Sequence, residues 1–343
     1  MVNRTALLAC DDNAVARGSP YRRALRRLPS GLIIPGPLWH VDLKVAFGWE
    51  RTFYLYDWKR DCMVPVGLQD LLTGTSASTQ TYTSKSSWNN SVNTVETIGG
   101  GGAGAIGAST TTGGGGGGGG AYNRIANFSF VTPGTTTATY MVQAGLLHTG
   151  AYPGTAPDTW FNGATLATSS VGCKGGLSPA TSTSTGSAPG GLASAGVPTT
   201  SPPGRSGGSS AAGASATAGG GGGGAGGPNG AGGVGSGTTG GTADGGTVAG
   251  GAPGNPGGKN SGTEWDASHG CGSGAGGSNA SGGTGGTGGL YGGGAGGGSR
   301  STGVGGDGAQ GIIALQSVFP EFADISTDNA VAFLKVIMAV PYR

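Results

Sequence analysis

Charge is scarce in this chain. Asp, Glu, Lys and Arg make up 10% of its 343 residues, against about 25% in ordinary globular domains. The balance of 18 basic and 16 acidic side chains leaves a net +2. No global field therefore draws the chain to nucleic acid or an anionic membrane, and no nucleic-acid partner is expected. The three histidines, His40, His148 and His269, are scattered. The four cysteines, Cys10, Cys62, Cys173 and Cys271, stand singly, with no C-x-x-C or Cys/His spacing of a zinc site. Nothing in them requires an oxidising compartment, and a Cys173–Cys271 bridge stays open as a pairing. No apolar run nears the ~20 residues of a membrane span. The apolar stretch before Cys10 covers only residues 5–8, well below the roughly 7–15 residues of a secretory core. The chain is read as lacking both a signal peptide and a transmembrane segment. The segment Gly257-Gly258-Lys259-Asn260 is not a phosphate loop, because Pro253 replaces the upstream glycine and Asn260 the required Ser or Thr. Arg205 and Arg300 are followed by serine rather than by the glycine pair of RNA-binding repeats. These absences point away from an enzyme, and no cofactor or bound metal is expected.

Glycine is abundant, at 81 residues where average usage is about 7%. Its distribution divides the chain into four parts. Residues 1–66 carry most of the charge and read as a small β-rich module. Ser19-Pro20 opens a short amphipathic helix ending near Pro29. Trp39, Val41, Leu43, Val45 and Phe47 alternate with polar neighbours as a half-buried strand. Residues 51–58 read as a second strand and residues 62–66 as a third. Residues 67–98 form a Ser/Thr/Asn-rich connector whose last part, residues 92–98, is a strand feeding into the first glycine run. Residues 99–311 are glycine-rich, with uninterrupted runs at 99–102, 113–120 and 219–224. Within them, residues 123–131 and 135–145 flank the turn signal Pro133-Gly134 and predict a hairpin. Residues 312–343 turn apolar, with a buried strand at 312–315 and a strand or helix at 331–340.

A glycine-rich region faces a large entropic cost. Ordering each backbone takes roughly 1–2 kcal/mol, glycine loses the most freedom, and few side chains are present to bury. A disordered linker is one outcome. The other is a bundle of extended glycine strands of the three-residue-per-turn type, held by hydrogen bonds between neighbours. Three features favour the bundle. The region is too long for a spacer inside a compact protein. It is poor in charge. Its glycine runs alternate with Pro, Thr and Ser segments, as in a chain that runs back and forth with its diversity at the ends. The fold class expected is mainly β with extensive irregular or polyglycine-II structure and little helix. The glycine-rich part is a bundle, or a β-sandwich with long glycine-rich loops.

The series Ile98-Gly99-Gly100-Gly101-Gly102, residues 113–120 leading into Ala121-Tyr122, Lys174-Gly175-Gly176, Tyr291-Gly292-Gly293-Gly294 and Gly308-Ala309-Gln310-Gly311-Ile312 resembles the glycine-rich domain of bacteriophage tail proteins. It is similar to the adhesins at the tips of T-even-like long tail fibres. The resemblance spans about residues 92–315 and leaves residues 1–66 unmatched. It implies a polyglycine-II sandwich whose variable loops touch a bacterial receptor, a polysaccharide or an outer-membrane protein. It also implies a virion location, other tail proteins as partners and a homo-oligomer as one assembly.

On that reading two loop sets are candidate receptor contacts: Tyr152, Asp158 and Trp160, and Trp265, Asp266 and His269. Large aromatic faces give contact area at low entropic cost. The alternative role for these aromatics is to plug the ends of the bundle. Trp39, Phe47, Trp49, Tyr54 and Trp58 are the candidates for attachment to other virion proteins. A purely structural spike, fibre or decoration protein is the alternative function. Glu264, Asp266, His269 and Cys271 share one loop and could be drawn as a metal cluster, but a solvated or receptor-facing loop is expected instead. Thr ridges at residues 110–112 and 135–137 lack the period that an ice-binding face needs.

Overall fold

The alternating residues form the sheets expected of them. The computed structural model describes residues 39–45, 48–57, 62–76, 78–149, 158–198, 204–214, 218–254, 264–265 and 269–318. The expected helix near residue 20 and the segment 331–340 lie outside these residues. Strands β1 (Trp39–Val45), β2 (Gly48–Asp57) and β3 (Cys62–Leu72) pair antiparallel in succession. They continue through β10 (Ile312–Val318), β5 (Asn93–Ile98) and β6 (Tyr122–Ala126) into one six-stranded sheet ordered β1-β2-β3-β10-β5-β6. The expected boundary after residue 66 falls inside β3, because Leu68, Leu71 and Leu72 carry the strand on into the core. β5 leads into the glycine-rich region and β10 leaves it, and the two are antiparallel neighbours with Ile98 opposite Ile312. Every residue of β10 is buried. That matches a strand covered on both faces, which reads as a nearly continuous apolar run.

A second sheet, ordered β4-β7-β8-β9, contains β4 (Gln80–Thr83), β7 (Thr137–Met141), β8 (Thr159–Phe161) and β9 (Val171–Cys173). The predicted hairpin across Pro133-Gly134 does not form. β6 pairs with β5 and β7 with β4, so the two segments belong to different sheets. Two asparagines account for the crossover. The Asn93 side chain bonds both the N–H and the C=O of Phe128, at 2.8 and 2.9 Å, and Asn90 does the same for Phe130, at 3.0 and 2.9 Å. These amides satisfy backbone groups that a hairpin partner would have used. They also release Phe128 and Phe130 into the space between the sheets. There the rings meet Trp88, Tyr82 and Phe161 in edge-on or tilted pairs at 4.9–6.4 Å, around Leu68, Val95, Ile313 and Leu315.

The glycine-rich region is packed. Residues 113–120 are all buried, and their hydrogen bonds repeat every third residue. The N–H groups of Gly114, Gly117 and Gly120 donate to the carbonyls of Gly298, Ala295 and Gly292. Those of Gly113, Gly116 and Gly119 donate to Ala214, Ala211 and Gly208, and those of Gly115 and Gly118 to Ser184 and Leu177. In return, Gly114, Gly117 and Gly120 accept from Gly220, Gly223 and Gly226, Gly115 and Gly118 accept from Ala105 and Gly102, and Gly119 accepts from Gly191. One segment thus engages neighbours on all its sides, and no two consecutive residues share a donor direction. A β-strand, with its two-residue repeat, bonds neighbours on two sides only.

Close approach is what requires glycine here. A Cβ on Gly117 would overlap the Gly102 carbonyl, and one on Gly118 the Pro189 carbonyl. The same holds along most of the runs, where the atom met is backbone and cannot swing aside. Gly186 differs: its Cβ would meet only the Ser184 hydroxyl, at 3.4 Å. We therefore expect Gly117→Ala to cost more than about 4 kcal/mol, and Gly186→Ala to change stability by less than about 0.5 kcal/mol. Thermal unfolding of the two variants checks this, and equal effects would contradict the packing.

Candidate functional site: the two ends of the glycine lattice

The glycine segments run between two kinds of ends. One end rests on the six-stranded sheet. The sheet face opposite the aromatic core presents Leu71, Ile98, Tyr122, Ile312 and Ala314, and these pack with Ala225, Ala243, Val248, Trp265, Cys271 and Tyr291. Trp265 is fully buried, its indole N–H donates to Glu96 Oε2 at 3.0 Å, and its carbonyl accepts from the Gln69 amide at 3.2 Å. His269 is 8% exposed and stacks on Tyr291, with ring centroids 5.7 Å apart and 12° between planes. The expectation that Trp265 and His269 sit on a displayed loop is therefore corrected, because both close the base of the lattice. Trp160 is likewise withdrawn from display. It lies in β8 at 3% exposure, where strand pairing with β7 and β9 buries it.

Asp158 is partly exposed and bound to Lys174, Nζ to Oδ2 2.9 Å. Tyr152 and Asp266 lie outside the described residues. Of the attachment candidates, Trp39 is in β1 opposite Tyr54 of β2, and Trp49 is also in β2. Phe47 and Trp58 lie outside the described residues. Cys173 and Cys271 are both buried and no disulfide joins them, so the open pairing is not made. Burial pushes the Cys173 thiol up to about 12.

Beside Trp265, the structure brings Asp244, from the short 3-10 turn Asp244–Gly246, next to Glu264 and Cys271. Glu264 Oε2 accepts from the Cys271 N–H at 3.1 Å. Burial, and then the hydrogen bond and charge of Asp244, push Glu264 up to about 8. The sequence-level grouping held Glu264 and Cys271, but it lacked Asp244 and treated the loop as solvated.

The other end is built from four chain reversals, at residues 106–112, 178–186, 278–283 and 299–303, together with Gly213-Ala214 and Ala218-Gly219. Backbone bonds join them in a closed circuit. The Ile106 N–H donates to Ser182, Ser301 to Ser109, Gly282 to Arg300, Gly219 to Ser278 and Gly213 to Thr185, at 2.7–3.1 Å. Ser109, Thr110, Thr111, Thr181, Thr183, Thr185, Asn279, Ser281 and Thr302 are exposed on this surface. Among the described residues of the reversals there is no aromatic side chain, and Arg300 is the one charge. Sequence reading missed this composite surface. The usable signal was the recurrence of Ser/Thr clusters between glycine runs.

Among the described residues no helix is long and apolar enough to cross a membrane. No protein-family model matches the chain, and no curated protein matches it in sequence.

Truncating the buried indoles tests their role. Trp265→Ala and Trp160→Ala are each expected to lower stability by about 3–5 kcal/mol, read by urea unfolding. A surface contact residue would leave stability within about 0.5 kcal/mol.

Proposed function

We propose that this chain is a bacteriophage virion protein of the tail fibre or tail tip, and that the surface of its joined reversals binds the bacterial exterior. The observation that carries this reading is the closed circuit of reversals. Loops far apart in sequence meet on one face, which holds many hydroxyls and a side-chain amide on backbones fixed by the lattice. Rigid hydrogen-bonding groups lose little entropy on contact. They suit a polysaccharide or the polar loops of an outer-membrane protein. We read the lattice as a polyglycine-II bundle, and its three-residue repeat of partners supports that assignment. On this reading the strands that carry Trp39, Trp49 and Tyr54 face other tail proteins or further copies of the chain. Phe47 and Trp58 keep the same proposed role.

The surface tolerates change in a way the lattice does not. Thr111→Lys and Thr183→Lys are expected to reduce adsorption of virions carrying them at least tenfold, with the melting temperature unchanged. Undiminished adsorption and host range in both variants would favour the purely structural spike, fibre or decoration protein instead.

A further inference from the structure

The base of the lattice holds a donor set that the receptor reading does not use. Asp244, Glu264 and Cys271 come from separate points of the chain, yet their ligand atoms lie within 4.8 Å of one another and all three residues are buried. Neither carboxyl has a cationic partner among the described residues. Asp244 accepts from the Asn229 backbone and side chain and from Thr247, and Glu264 from the Cys271 N–H. Two buried carboxyls without a cation are unfavourable unless a proton or a metal stands between them.

A second observation points to the same place. Tyr122 is 3% exposed, and its hydroxyl lies beside the Glu96 carboxylate without forming a hydrogen bond of good geometry. It packs in the same cluster as Cys271, and burial first, then the charge of Glu96 and more weakly that of Cys271, push its ionisation well up. Orphaned buried hydroxyls are uncommon and call for a partner. Gly227 leaves the needed room, because a Cβ there would collide with both Asp244 Oδ1 and Cys271 Sγ.

We propose that Asp244, Glu264 and Cys271 bind a divalent d-block cation of the zinc type, with the Tyr122 hydroxyl positioned to bond a water ligand. A thiolate with two carboxylates is a borderline-soft set. It suits zinc or cobalt, whereas calcium and magnesium take oxygen alone. Cys271 would bind as the thiolate, so metal binding releases its proton. The cation's role is structural. It ties the turn at Asp244 to Glu264 and Cys271 at the base of the lattice, where Trp265 and Tyr291 pack.

The full-length protein, stripped with chelator, is titrated with Co²⁺. The expected result is a near-ultraviolet thiolate-to-cobalt charge-transfer band that Zn²⁺ abolishes, with proton release and a rise in melting temperature of several degrees. Cys271→Ser is expected to remove the band and Cys173→Ser to keep it. Glu264→Gln, which preserves volume, is expected to weaken cobalt binding at least tenfold while the metal-free protein stays folded. A folded wild-type chain with neither band nor thermal shift would overturn the site. So would a band that survives Cys271→Ser or disappears with Cys173→Ser.

Discussion

The structure depends on one constraint: each backbone amide inside the glycine lattice must find its partner on a different neighbouring segment. A side-chain core gains stability by burying apolar area. This lattice has almost none to bury. Each hydrogen bond adds only about 0.5–1.5 kcal/mol net, which roughly equals the cost of ordering one residue. What tips the balance is collective. Backbones that touch without Cβ atoms gain close dispersion contacts on every side, and any segment that withdrew would leave buried N–H and C=O groups unpaired. Such groups cost about 1–3 kcal/mol each. The lattice therefore holds as a unit.

A unit of that kind needs a fixed edge from which to start. The sheets provide it, because they are ordinary β-structure with an ordinary core. β5 and β10 lie side by side, with Ile98 opposite Ile312, so the first and last glycine segments leave the sheet as neighbours. Gly101 then donates to Ala309 and Gly104 to Gly306, carrying the sheet pairing outward into the three-residue pattern. Trp265, Tyr291 and Tyr122 fill the junction between the two regimes. Large aromatics gather at the end that must be anchored, and small hydroxyl residues gather at the end that meets solvent.

Much of this was legible in the chain itself. The alternation in residues 39–45, the strands flanking the glycine runs and the back-and-forth course of the region all follow from local pattern. The β6–β7 hairpin did not, because Asn90 and Asn93 capture Phe130 and Phe128 from about 35–40 residues away and send the chain to the other sheet. The aromatic loops were misjudged for a related reason. Trp265 bonds Glu96 across 169 residues of sequence, and no local signal separates a displayed indole from one that closes a core. Asp244 joined Glu264 and Cys271 only once the turns of the lattice were stacked. The set of reversals was foreseeable in kind, as Ser/Thr clusters between glycine runs, but not in membership.

Amide hydrogen exchange across residues 113–120 tests the central claim most directly. These glycines have no side chains to protect them, so any protection reports the backbone lattice alone. The account predicts exchange as slow as that of β5 and β10, with both regions losing protection together as denaturant is added. Exchange of residues 113–120 at the rate of an unstructured glycine peptide, while β5 and β10 stay protected, would contradict it.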